Sequence, residues 1–314
     1  FYSSVLPSLY RFVLEQSGEF ATEALNAHQR TLRMRGRPKI VLARTYEEAI
    51  TLYRQYSDNI LGVISDASFP REGEKDPEAG ARLLTEIRAH DPYIPLIMES
   101  SESANWEFAH RCGASFVDKN SKKMDVDLRE AVSENFGFGD FVFRDPATME
   151  EIARVRNLKD LQRIIFTVPR ESLHYHITRN HISRWLYSRA MFPVAEFLKS
   201  ITCDSYEDVD AHRQIIFDAI VKYRKMKNQG VVAVFQRDRF DRYSNFARIG
   251  DGSLGGKGRG LAFIDNMVKR YPEFEEFDNA RVAVAERRGK IDQSPIILRR
   301  FFHIQYSRRA FCQQ

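Results

Sequence analysis

The chain has 314 residues, 43% hydrophobic and 29% charged, which excludes a disordered or low-complexity protein and leaves room for about two domains. Its apolar runs are too short to span a bilayer, and no signal peptide opens it, so neither a membrane nor a secreted protein is expected. The net charge of +5 is concentrated from Lys290 onward, where five basic residues face one acid, so the body is nearly neutral and no nucleic-acid partner is expected.

Cys112, Cys203 and Cys312 are odd in number and widely spaced, without metal-ligand spacing. They predict reduced thiols and a cytoplasmic setting.

Residues 3–27 read as a helix, with Leu6, Leu9, Phe12, Val13 and Leu14 crowding one side. Lys39–Arg44 reads as a short strand. Thr45 then caps a helix with Glu47 and Glu48 in its first turn. Ile60-Leu-Gly-Val-Ile-Ser-Asp66 is an apolar, β-branched run that predicts a strand buried on both faces, with Asp66 at its carboxyl end. Asp is also a common turn starter, so a purely structural Asp66 is the competing reading. A polar loop over 71–78 leads to a helix from Gly80 through Ile87. Ile94–Met98 is another strand, 103–111 a helix ended by Cys112-Gly113, and Ala114–Lys119 a last strand. A helix with Val126, Leu128, Ala131 and Val132 follows.

Strands alternating with helices predict an α/β fold with a parallel sheet covered on both faces. The chain opens on a helix where a strand would be expected, and it does not begin with Met. We therefore expect a fragment whose sheet lacks its first strand and shows a gap beside Ile60–Asp66.

Phe136-Gly-Phe-Gly-Asp-Phe-Val-Phe143 marks a domain junction. Asp145-Pro146 reads as a helix start. From there to about 228 the pattern is helical, interrupted at 167–169, 192–193 and 203–205. Val231–Phe235 and Val282–Ala285 read as strands. Gly250–Gly260 is a Gly-rich stretch feeding a helix, and the chain beyond Arg287 shows no clean periodicity. The expected domains are residues 1–140, 141–243 and 244–314.

Three constellations are candidates for chemistry. Asp66, Ser100 and Lys119 fall at or just past the carboxyl ends of successive strands, which cluster on one edge of a parallel sheet. A carboxylate nucleophile, a hydroxyl and an ammonium there suit phosphoryl transfer. Asp66-Ala-Ser-Phe-Pro70, Pro95–Ser100, and Gly113-Ala114 with Phe116–Lys119 resemble the receiver (flavodoxin-like) domain of response regulators over residues 1–135. The resemblance implies a phosphoacceptor role for Asp66, with Ser100 and Lys119 beside it. It also implies a Mg2+ ion held by an acidic pair after the first strand, and that pair is absent from this chain. Asn120 stands where proline is common. Both a phosphorylated and an unphosphorylated, structural receiver remain open.

The second constellation is Gly250–Gly260. A Gly-rich loop entering a helix offers backbone N–H groups to phosphates, with a flexible turn before a helix as the lesser alternative. It is not a P-loop, because Gly258 stands where Ser or Thr is needed. Ser253-Leu-Gly-Gly-Lys257-Gly-Arg-Gly-Leu-Ala262 resembles the start of the ATP-grasp domain of pyruvate phosphate dikinase and phosphoenolpyruvate synthase. The likeness implies ATP as ligand, with Lys257 on its phosphates and Ser253, Gly255, Gly256 and Gly258 in the loop.

The third is His174, His176 and His181 with Trp185. His174 and His181 lie seven apart, on one face of a helix, with His176 elsewhere. Only Glu171 is near as a further ligand, so packed or surface histidines fit better than a metal site. The segment Pro169–Ala190 resembles the helical linker between a receiver-like module and the ATP-grasp domain in a bacterial branch of phosphoenolpyruvate synthase-like proteins.

Together these imply the N-terminal regulatory and partial ATP-binding portion of such a phosphotransferase. Pyruvate would enter only in the complete parent protein, and the fragment alone is expected to be inactive. The alternatives are a signalling response regulator with a helical output module, and a scaffold whose receiver is a docking or homodimer surface.

Overall fold

A computed structural model describes residues 2–22, 27–201, 206–228, 231–234, 241, 243–244, 246–248, 255–270, 282–286 and 300–304. The chain divides into two compact units, Phe1–Thr22 with Arg33–Ile220, and Glu23–Leu32 with Val221–Gln314. No helix among the described residues is long and apolar enough to cross a membrane.

The first unit begins with α1 (Tyr2–Thr22) and α2 (Ala27–Arg35, of which the last three residues belong to this unit). Of the single helix expected over 3–27, α1 covers the residues up to Thr22, 23–26 lie outside the described residues, and the helix over Ala27–Arg35 was not foreseen. Lys39–Arg44 is not a strand. Ile40, Val41 and Leu42 are 39%, 60% and 39% exposed, and no described strand pairs with them. The physical reason is the missing neighbour, since a β-prone run gains ladder hydrogen bonds only when a partner lies beside it.

The helix α3 (Tyr46–Tyr56) starts as expected. Thr45 Oγ1 accepts from Glu48 N at 3.2 Å, and the Glu48 carboxylate reaches back to Arg44 N at 2.7 Å. Next come β1 (Val63–Asp66), β2 (Phe69–Arg71) and β3 (Glu74–Asp76). The last two pair antiparallel, so the expected polar loop is a small hairpin. Its tip, Glu72-Gly73, has φ of 53° and 85°, the left-handed pair that a two-residue hairpin turn demands.

Then follow α4 (Ala79–His90), β4 (Leu96–Ser100), α5 (Asn105–Arg111), β5 (Ser115–Asp118) and α6 (Met124–Asn135). Strands β1, β4 and β5 form a parallel sheet in that order. Val5, Leu9, Phe12 and Val13 of α1 and Leu128 and Val132 of α6 pack with Ile97 and Val117 in one core cluster. Ile50 and Tyr53 of α3, Leu83, Leu84 and Ile87 of α4, and Ala109 of α5 pack with Leu96 and Met98 in another. Alternate residues of β4 thus face opposite clusters, as an α/β sheet with helices on both faces requires. Strand β1 is the sheet edge. Its residues other than Ser65 are only half-buried, against the expectation of burial on both faces, because nothing described pairs with its outer side.

The junction at 136–143 belongs to this same unit. Beyond it, Asp145-Pro146 does not start a helix. It turns a hairpin of β6 (Phe141–Arg144) and β7 (Glu151–Val155), with Asp145 Oδ1 accepting from Ala147 N at 2.8 Å and Thr148 N at 3.1 Å. Asp and Pro suit this turn as well as a helix start, and the alternation that buries Phe141 and Phe143 decides for strand. Helices α7 (Leu158–Ile164), α8 (Arg170–Thr178), α9 (His181–Ser188), α10 (Phe192–Lys199) and α11 (Val209–Asn228, of which the residues from Val221 onward belong to the second unit) follow. Phe192-Pro193 opens α10, with proline in the first turn where its missing N–H costs nothing.

In the second unit, β8 (Val232–Val234) pairs in parallel with β9 (Phe246–Arg248). Helix α12 (Gly256–Arg270) begins at the Gly-rich stretch, and β10 (Val282–Glu286) pairs antiparallel with β11 (Arg300–Ile304). The position of Phe235 lies outside the described residues, and β11 falls where no periodicity was visible.

Candidate functional site

Parallel pairing brings the carboxyl ends of β1, β4 and β5 to one edge. Asp66 stands opposite Glu99, and Ser100 opposite Asp118. The sheet edge is held by backbone bonds from Ala67 N to Glu99 O at 3.1 Å and from Lys119 N to Ser100 O at 2.9 Å. Helix α4 closes on the same corner, with Gly80 N donating to Ala67 O at 3.0 Å.

Lys119 Nζ donates to Asp66 Oδ2, so the predicted carboxylate and ammonium meet directly. The Asp66 side chain is 35% exposed and that of Lys119 18%, so water reaches the carboxylate more easily than the ammonium. Ser100 is brought to the same edge but bonds elsewhere. Its Oγ accepts from Glu102 N at 3.0 Å and Asn105 Nδ2 at 2.9 Å, which fixes the entry to α5. Asn120 ties the loop after β5 to the end of β4 through Nδ2 to Ser101 O at 2.7 Å.

Sequence reasoning missed Glu99. It is 2% exposed, and its Oε1 has no hydrogen-bond partner in the protein. Burial pushes its carboxyl up to about 7, with Asp66 adding to the rise and Lys119 opposing it. A single carboxylate inside the otherwise apolar run Pro95-Leu-Ile-Met-Glu99 was the available signal. Its raised value has a sign. The folded state holds a proton that the unfolded chain releases above its ordinary value of 4.5, so this group's contribution to stability is full below about 4.5 and is lost as pH rises through about 7. Glu99→Gln should flatten that part of the pH–stability curve, by on the order of 1–2 kcal/mol. Urea titrations of both proteins between the two pH values read the difference.

The histidines lie apart from this edge in sequence and structure. Asn180 takes φ of 54°, so the helix breaks and His181 opens α9. The shared face expected for His174 and His181 therefore does not form. Instead His176 Nδ1 meets His181 Nδ1 at 2.9 Å, and His176 Nε2 accepts from Arg144 N at 3.0 Å. The accepted bond leaves the His176 proton on Nδ1, so His181 Nδ1 must be the acceptor. Burial drives both rings to the neutral form. Edge contacts of His176 with Phe141 and Phe143 complete a packed aromatic cluster.

Of the nucleotide-loop residues, Ser253 lies outside the described residues, as does the Lys257 side chain. Gly255 immediately precedes α12, and Gly256, Lys257 and Gly258 form its first turn. Among the described residues, a Cβ added at Gly255 or Gly256 would meet no atom within 4 Å.

Among the described residues no group of three or more His, Cys, Asp or Glu side chains is placed to hold a metal ion. Lys119 holds Asp66 Oδ2, while Asp66 Oδ1 accepts a long bond from Ser68 N at 3.5 Å. No family model, curated protein or solved structure matches the chain.

Proposed function

We propose that this chain is the regulatory and partial ATP-binding portion of a phosphoenolpyruvate synthase- or pyruvate phosphate dikinase-like phosphotransferase. A receiver-like module and a helical linker precede the beginning of an ATP-grasp domain. The observation that carries the regulatory half is the Asp66–Lys119 pair at the carboxyl edge of a parallel sheet. Function in open α/β sheets concentrates at that edge. An acid held by a lysine at the rim of the sheet suits a module that signals by the charge state of that acid.

The nucleotide half rests on the start of α12. Orphan N–H groups of a helix first turn bind phosphate oxygens. Glycines at this helix start leave its N–H groups open to close approach of a ligand, since no described residue would meet a Cβ at Gly255 or Gly256. Mg2+ would enter with ATP as its counterion, and pyruvate belongs to the complete parent protein.

Two measurements test the proposal together. Acetyl phosphate with Mg2+ should leave Asp66 unlabelled. Calorimetric titration with Mg-ATP should show weak binding that Lys257→Ala abolishes. The signalling-regulator alternative makes the opposite pair of claims: label that disappears in Asp66→Asn, and no nucleotide effect of Lys257→Ala. Sub-micromolar ATP affinity or pyruvate turnover would also overturn the proposal.

A further inference from the structure

Glu99 has no task in the reading above, yet its position is unfavourable for a carboxylate without one. In-register parallel pairing puts Asp66, Glu99 and Val117 side by side on one sheet face. Ile64 and Ile97, two residues earlier on the same face, pack into the core under α1 and α6. A buried acid with an unpartnered oxygen costs several kcal/mol in its charged form, and leucine or glutamine could fill the place without that cost. The charged groups that act on it are Lys119, just beyond β5, and Asp66 on β1. The helices over this face present Val5, Leu9, Leu128 and Val132 to the core, and no charged group of either is among those that act on Glu99. One ammonium thus serves two carboxylates, one of them at the wet rim and the other in the core.

We propose that Glu99 is a positioning residue for Lys119. Lys119 binds Asp66 while Asp66 is charged, and turns to Glu99 when Asp66 loses its charge. In the first arrangement Asp66 is anionic, Lys119 cationic and Glu99 protonated. In the second, Asp66 has taken up one proton, Lys119 stays cationic, and Glu99 has released one, so the site gains and loses no proton overall. The site carries no net charge in either, which is what a half-buried cluster tolerates. The inward step of Lys119 carries a change at Asp66 into the core under α1 and α6. This deepens the regulatory reading of the Asp66 site and rests on it for the use made of that site's charge state, the neutralising group being a proton. The lysine transfer itself needs no phosphoryl donor, so it stands or fails separately from the labelling and ATP measurements.

The test is carbon-detected NMR of the full chain with 13Cδ-glutamate, the Glu99 signal being the one lost in Glu99→Gln. Asp66→Asn mimics the neutral acid, with Asp66→Ala in its place should the first variant not fold. The Glu99 titration midpoint should drop from near neutrality by about one pH unit or more in the neutral variant. With Lys119→Met added, most of that drop should vanish. An unchanged midpoint in the neutral variant would overturn the proposal. So would an equal drop with and without Lys119, because it would show only the removal of the Asp66 charge.

Discussion

Replacing Arg189 with alanine should cost the first unit about 2–4 kcal/mol. Arg189 is 3% exposed. Its guanidinium donates to Gly137 O at 2.9 Å, Gly139 O at 2.7 Å and Trp185 O at 3.1 Å, with longer bonds to Ser188 Oγ and Phe138 O. It also lies over the rings of Phe20, at 4.0 Å, and Trp185, at 4.2 Å. The segment it holds is the Gly- and Phe-rich junction, whose carbonyls point inward because Gly137 takes φ of 78°. Truncation would take one hydrogen bond from each of Gly137 O, Gly139 O and Trp185 O, which keep Ser188 Oγ or Trp185 Nε1 as donors, and would empty the space stacked against Phe20 and Trp185. Arg189→Lys should recover only part of the loss, since one ammonium cannot span three carbonyls or stack between two rings. Urea denaturation of the full chain, followed by Trp185 fluorescence, measures both variants. A loss below about 1 kcal/mol in Arg189→Ala would show the junction to be held by Trp185 Nε1 and Ser188 Oγ instead.

The part of the molecule legible from sequence is the part governed by local chemistry. The Thr45 cap, the Gly113 helix stop and the strand-end position of Asp66 all follow from short-range patterns. The meeting of Asp66 with Lys119 follows from parallel topology alone. What could not be read was decided by partners distant in the chain. Ile40–Leu42 has strand composition but no strand beside it. Asp145-Pro146 suits a turn and a helix start equally, and only the burial of Phe141 and Phe143 under α8 selects the hairpin. The His176–His181 contact depends on one left-handed residue, Asn180, which an unbroken helical reading passes over. Glu99 was hidden because an acid at the end of an apolar run reads as the exit of the strand, when register places it inside.

The candidate site itself depends on a glycine, and Gly80→Ala should destabilise the first unit by about 3 kcal/mol while disturbing the Asp66–Lys119 pair. In a helix interior alanine normally gains up to about 1 kcal/mol over glycine. Here the added Cβ would stand 2.1 Å from Asp66 O and 2.9 Å from Ala67 Cα. Both are backbone atoms at the end of β1, so no side-chain rotation can relieve the clash. Either α4 retreats and loses the Gly80 N to Ala67 O bond, or the end of β1 shifts and carries Asp66 away from Lys119. Gly256→Ala is the matched control, because no described residue would meet its Cβ. It should leave stability within about 0.5 kcal/mol of the parent or raise it slightly. Thermal unfolding ranks the two variants. The Glu99 carboxyl signal then tells which response Gly80→Ala provokes, since a retreat of α4 alone leaves its midpoint near neutrality, whereas separation of Asp66 from Lys119 moves it. If Gly80→Ala proves as stable as the parent, α4 does not pack against the end of β1 as closely as this account of the site requires.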